Sequence, residues 1–96
     1  MRFLFFYLMT DDPDPVREAA SRHAAYWQDL ALPGYLGGPF ADRSGGLITF
    51  EADTLGQADG LVHGDPFLHD RLVADWWLKQ WLAEPVGPTT SSAGRP

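Results

Sequence analysis

Arg2-Phe3-Leu4-Phe5-Phe6-Tyr7-Leu8-Met9 is an unbroken apolar and aromatic run, closed by Thr10-Asp11-Asp12-Pro13. Such a run is too short for a typical helix, and its lack of alternation reads as a β-strand covered on both faces. The whole fold must therefore supply two covers for one strand. Downstream, Asp14 is expected to cap a helix with Pro15 at its first position, and Val16, Ala20, His23, Trp27 and Leu30 recur at three- and four-residue spacing. Pro33-Gly34 breaks this pattern, and Tyr35 to Phe40 reads as a short strand interrupted by Gly37-Gly38-Pro39.

The polar, glycine-containing stretch 41–46 separates this strand from the next, Leu47 to Ala52, as a hairpin with a long loop. Thr54 and Gln57 have capping-box spacing, and Leu55, Ala58, Leu61 and Val62 form a second apolar stripe that Gly56 and Gly60 weaken by ~1 kcal/mol each relative to alanine. Gly64-Asp65-Pro66 ends that helix, because the residue before a proline is driven out of helical geometry. Leu72 to Leu82 is the last strand, with Leu72, Ala74, Trp76 and Leu78 pointing one way and Val73, Asp75, Trp77, Lys79 and Trp81 the other. The order strand, helix, strand, strand, helix, strand predicts an α+β domain, a ferredoxin-like βαββαβ fold with an antiparallel four-stranded sheet, over residues 1–85. Residues 86–96 are rich in Pro, Gly, Ser and Thr and are expected to form a disordered tail. Two helices shield one sheet face only, so a homodimer joined through the other face is the expected partnership.

With 96 residues, 45% hydrophobic and 14% aromatic, the chain has material for one core and a surplus of aromatic surface for an interface or pocket. It has no cysteine, which excludes disulfides, thiolate nucleophiles and the usual structural zinc sites. A formal charge of -6 with scattered Lys and Arg argues against nucleic acid as a partner. No run approaches a membrane span or has the pattern of a signal peptide, so a cytoplasmic location is expected.

His23 interrupts an apolar helical stripe, and a half-buried imidazole needs hydrogen-bond partners. It is either a structural histidine satisfied by a carbonyl or hydroxyl, or a working one. Asp65 lies at an Asp-Pro step, where the plain role is a turn cap. His63 and His69 flank it without the spacing of a metal-ligand set, so no metal is expected. The split βαβ topology places the end of the second helix beside the first, so His23 and Asp65 are expected to meet. One imidazole nitrogen would be on the carboxylate and the other would face an open cavity.

These residues resemble the YciI-like (YCII-related) family of dimeric α+β barrel proteins. The likeness spans roughly residues 2–85. It rests on the apolar first strand ending in Thr10-Asp11, on Arg22-His23-Ala24-Ala25-Tyr26, on Gly38-Pro39-Phe40 followed by Gly45-Gly46, and on Ala58 ahead of Asp65-Pro66-Phe67. It departs from the family at Leu68-His69-Asp70-Arg71, where a glycine is common, and in its tryptophan-rich last strand. The resemblance implies His23 and Asp65 as the active-site pair of a cofactor-independent enzyme. That enzyme would transfer a proton on a small cyclic or aromatic substrate, as a lyase, isomerase or cyclase. Tyr7, Trp27, Phe40, Phe67 and Trp76 are the aromatic residues expected to wall the substrate pocket. The alternatives are a non-catalytic domain binding a small molecule or partner, and a cofactor-free oxygenase of an electron-rich ring.

Overall fold

The computed structural model describes residues 1–84, and the expected tail at 86–96 lies outside them. β1 (Arg2–Met9) is the spine of a four-stranded sheet, pairing antiparallel with β3 (Gly45–Glu51) on one side and β4 (Val73–Gln80) on the other. β2 (Leu36–Pro39) adds to the far edge of β3, giving the antiparallel order β2-β3-β1-β4. α1 (Pro13–Leu30) and α2 (Leu55–His63) complete the ferredoxin-like α+β fold, and a short α3 (Pro66–His69) follows α2.

Alternation along β1 divides the molecule. Phe3, Phe5 and Tyr7 are buried on the helix side with Trp27, Ile48, Phe50 and Val62, whereas Leu4, Phe6 and Leu8 on the opposite side are only half-buried. Among the described residues no helix is long and apolar enough to cross a membrane.

Four local expectations are corrected. The cap of α1 is Asp12, with extended backbone and no side-chain hydrogen bond, and Pro13 rather than Pro15 opens the helix. Both prolines are tolerated because the first-turn N–H groups have no intrahelical acceptor in any case. Asp14 instead meets the Arg17 guanidinium at 3.1 Å. The strand expected from Leu47 begins at Gly45, since Gly45 and Gly46 pair with Leu8 and Tyr7 rather than forming a turn. A Cβ at Gly45 would collide with the Tyr7 carbonyl oxygen and one at Gly46 with the Tyr7 hydroxyl, so β1 can approach only because both are glycine.

In β4 the register shifts: Leu8 faces Asp75 while Met9 faces Val73, which leaves Ala74 unmatched. Val73 therefore joins Trp76 and Leu78 against the core instead of pointing away from them. Finally, α3 was not expected. Pro66 at its first position and the Asp65 side chain accepting from Phe67 N turn a chain end into one more helical turn.

Candidate active site

Asp65 is fully buried, at 0% exposure, and a carboxylate there must be surrounded by donors. The fold provides three. Its Oδ1 accepts from the Phe67 backbone N–H at 2.8 Å, its Oδ2 accepts from the Trp27 indole Nε1–H at 2.9 Å, and the His23 ring nitrogen Nδ1 lies 2.8 Å from Oδ1 and 2.9 Å from Oδ2. The two donors on α1 are spaced i and i+4, so one helical turn presents imidazole and indole side by side. The third comes from the start of α3, so the Asx cap and the contact with His23 are made by the same carboxylate.

Because an ionised carboxylate only accepts, the proton on Nδ1 of His23 points at Asp65, and in the neutral ring Nε2 is left as the acceptor. Its neighbour is the Tyr7 hydroxyl at 3.3 Å, which donates toward it. The imidazole also stacks on Phe67, with ring centroids 4.1 Å apart and planes 13° off parallel. Its side chain is 13% exposed. Burial first, then the charge of Asp65 and the neighbouring Tyr35, hold the Tyr7 phenol well above its ordinary pKa, so it stays a neutral donor. Tyr26 and Tyr35 are raised in the same direction, by burial first and then by Asp65.

A cavity of about 550 Å³ opens beside this centre, between the end of β1 and the first half of α1. Met9 in its wall is two residues beyond Tyr7 on the same strand face, and Ala20 precedes His23 by one helical turn. His23 does not line it directly. The second imidazole nitrogen faces Tyr7, not the open volume expected for it.

A solved enzyme shares this fold. The structure of 5-chloro-2-hydroxyhydroquinone dehydrochlorinase (TftG) from Burkholderia phenoliruptrix AC1100, in complex with 2,5-dihydroxybenzoquinone, matches with a TM-score of 0.74 at 24% sequence identity. The match covers 84% of this chain and 93% of that one. No family model matches the chain, and no curated protein matches it in sequence. The likeness to TftG is one of fold.

The expected pocket aromatics separate into distinct places. Tyr7 and Phe67 touch His23. Trp27, 1% exposed, is core and reaches the site only through its indole N–H. Phe40 is on the other side of the sheet, its ring 5.3 Å from that of Phe6, because odd and even residues of β1 face opposite ways. Trp76 packs edge-on against Phe5 and His63, over a separate shallow hollow with Leu55 and Leu78. The cavity wall beside the site is aliphatic instead. His63 and His69 are exposed and hydrogen-bond locally, to the Asp59 carbonyl and toward Asp70. Among the described residues no group of three or more His, Asp or Glu is disposed to hold a metal ion.

Sequence reasoning missed the Trp27 donor, although its i+4 offset from His23 on one stripe was the available signal. It also missed the ion pair of Arg22 with Asp70 at 2.9 Å, which ties α1 to the end of α3 from outside. Asp70 is held below the usual carboxylate range by the Arg22 hydrogen bond and then by His69. No local pattern marks that pair, since its members are 48 positions apart.

Proposed function

We propose that this chain is a YciI-like cytoplasmic enzyme, working as a homodimer, that transfers a proton on a small hydroxylated ring. His23 is the general base and later the acid, and Asp65 is its positioning partner. The observation that carries this reading is the contact of His23 Nδ1 with both oxygens of the buried Asp65 carboxylate, at 2.8 and 2.9 Å. A buried carboxylate with two further donors cannot swing away, so it keeps the Nδ1 proton and leaves Nε2 basic.

In the reaction, Nε2 of His23 takes a proton from a ring O–H or C–H of the substrate and becomes the imidazolium that Asp65 stabilises. The electron pair moves through the ring. In an elimination it expels a leaving group with its pair of electrons, and in an isomerisation the same proton returns at another ring atom. No electrons are exchanged with a second reactant, so the chemistry calls for no redox cofactor. The Tyr7 contact at 3.3 Å is at the long end for a hydrogen bond, so a substrate oxygen can replace it at little cost, and Tyr7 can then donate to that oxygen. TftG, a dehydrochlorinase bound to a dihydroxyquinone, supports the substrate class by fold analogy.

The second subunit would cover the sheet face opposite the helices. Phe6 packs there between Phe40 and Trp77, with both ring centroids 5.3 Å away, and Trp77 remains 42% exposed. A standard interface buries roughly 800 Å² per partner, and large aromatic groups at its centre are the features that make such an area stable.

The test is solvent exchange. In deuterated water, 2,5-dihydroxybenzoquinone incubated with the protein should gain deuterium on its ring carbons, read by mass spectrometry. His23→Gln should slow this by ~10²–10⁴-fold. Binding without exchange would make the chain a binding domain, and oxygen uptake dependent on the protein would make it an oxygenase.

A further inference from the structure

The cavity beside His23 combines an aliphatic wall with cationic chemistry that the proton transfer does not use. Met9, Val16 and Ala20 form the wall, and its volume of about 550 Å³ suits a single small molecule. Val16, Ala20 and His23 follow one stripe of α1, so a flat ring lying on Val16 and Ala20 points its far edge toward the imidazole, ~4.5 Å further along the helix axis.

Two of the chain's seven basic residues, Arg17 and Arg43, line this same cavity in a protein whose net charge is -6. Asp11 is the opposing carboxylate there, and Arg17 is already bonded to Asp14. Arg43 makes no ion pair among the described residues. It also occupies a costly backbone position. Its φ of 65° is in the left-handed region, where glycine or asparagine sits more easily, within a turn closed by Arg43 N–H donating to the Phe40 carbonyl at 2.9 Å. Ala31 and Arg71 share that backbone region, so what sets Arg43 apart is its guanidinium in the cavity lining, unpaired among the described residues.

Thr10 adds an uncharged polar group to the same lining. Its hydroxyl is buried and makes no hydrogen bond among the described residues, so turning it toward a ligand breaks no existing bond.

We propose that this cavity selects a ring acid, an aromatic or quinonoid molecule bearing a carboxylate or a comparably acidic group, with Arg43 as the principal counter-charge and Arg17 as the secondary one. This rests on the proton-transfer reading only for what happens at the far edge of the ring. The guanidinium fork of Arg43 would take both oxygens of the acid while the aliphatic wall covers one ring face.

Calorimetric titration of the full chain with 2,5-dihydroxybenzoate and with 2,5-dihydroxybenzamide tests this, since the two differ in charge but hardly in shape. The carboxylate should bind about tenfold more tightly or better, and its advantage should shrink as sodium chloride is raised. Arg43→Gln should remove most of the preference by weakening carboxylate binding far more than amide binding, Arg43→Lys should restore part of it, and His23→Gln should leave it intact. Equal affinity for both compounds, binding of neither at millimolar concentration, or an undiminished preference in Arg43→Gln would each overturn the proposal. The two readings fail separately. A charge preference without deuterium exchange leaves the ring-acid site standing and removes the enzyme, and exchange without charge preference does the reverse.

Discussion

Phe5 and Phe6 are chain neighbours in β1, yet they belong to different molecules in energetic terms. Phe5 is fully buried, with the rings of Tyr7, Trp27 and Trp76 about it at 5.1–6.0 Å. Phe6 has Phe40 and Trp77 for company and is open above. The helix-covered face is closed around Asp65 and the Tyr7 hydroxyl, which both have partners, and the Thr10 hydroxyl at its edge is the buried side-chain group left without one among the described residues. The open face is aromatic and partly exposed. Neighbouring residues of one strand thus meet a closed, water-excluding environment on the helix side and a partly exposed aromatic one on the other, and the proposed proton transfer and the proposed pairing of subunits are assigned to these two sides respectively.

The contrast breaks most sharply by truncating the two neighbours. Phe5→Ala should cost ~3–5 kcal/mol in denaturant unfolding, as a large side chain is lost from a closed core, and Phe6→Ala only ~1–2 kcal/mol in the monomer. Equal losses would show that the two faces are equally closed. Asp65→Ala should cost ~3–5 kcal/mol by the same measurement, because it strands the N–H groups of Trp27, Phe67 and His23 away from water. A loss below ~1 kcal/mol would mean that water reaches them.

On the open face, Trp77→Glu should give a monomer at micromolar concentration by sedimentation equilibrium where the wild type gives a dimer, with the circular dichroism unchanged. A monomeric wild type would contradict the pairing of open faces.

The smallest expected effect concerns alkali. Folding raises the Tyr7 pKa above the unfolded value of about 10, as it does for Tyr26 and Tyr35. Above that pH the unfolded chain releases protons that the folded chain keeps, so this contribution to stability is whole below about pH 10 and is lost as pH rises further. Tyr7→Phe should therefore flatten the decline of stability above pH 10, at a cost near neutrality of only ~0.5–1 kcal/mol for the hydrogen bond to His23. An unchanged slope would place the Tyr7 hydroxyl in water.

How much of this was legible beforehand depends on the range of each interaction. The bounds of β1 were readable to the residue from the apolar run and the Thr10–Pro13 stop, although only one of the two expected covers is present in the single chain, and the Thr54–Gln57 cap of α2 was readable because its groups bond within three residues. The convergence of His23 and Asp65 followed from topology once six elements were in order. What failed was whatever depends on two strands meeting. The Ala74 irregularity turned Val73 inward, Gly45-Gly46 proved to be a strand shaped to Tyr7, and Phe40 landed on the far side of the sheet. Arg43 carried no signal in sequence, because neither its backbone strain nor its place beside the cavity is encoded within its own loop.

The tautomer of His23 is the direct measure of whether Asp65 prepares the ring for proton transfer. Long-range proton–nitrogen correlation on 15N-histidine-labelled protein, at a pH where the ring is neutral, should show His23 with its proton on Nδ1 and a bare Nε2. In Asp65→Asn the ring should lose that single form. A wild-type spectrum with the proton on Nε2, or a mixture of both tautomers, would mean that the carboxylate does not hold the ring and that His23 is not the base.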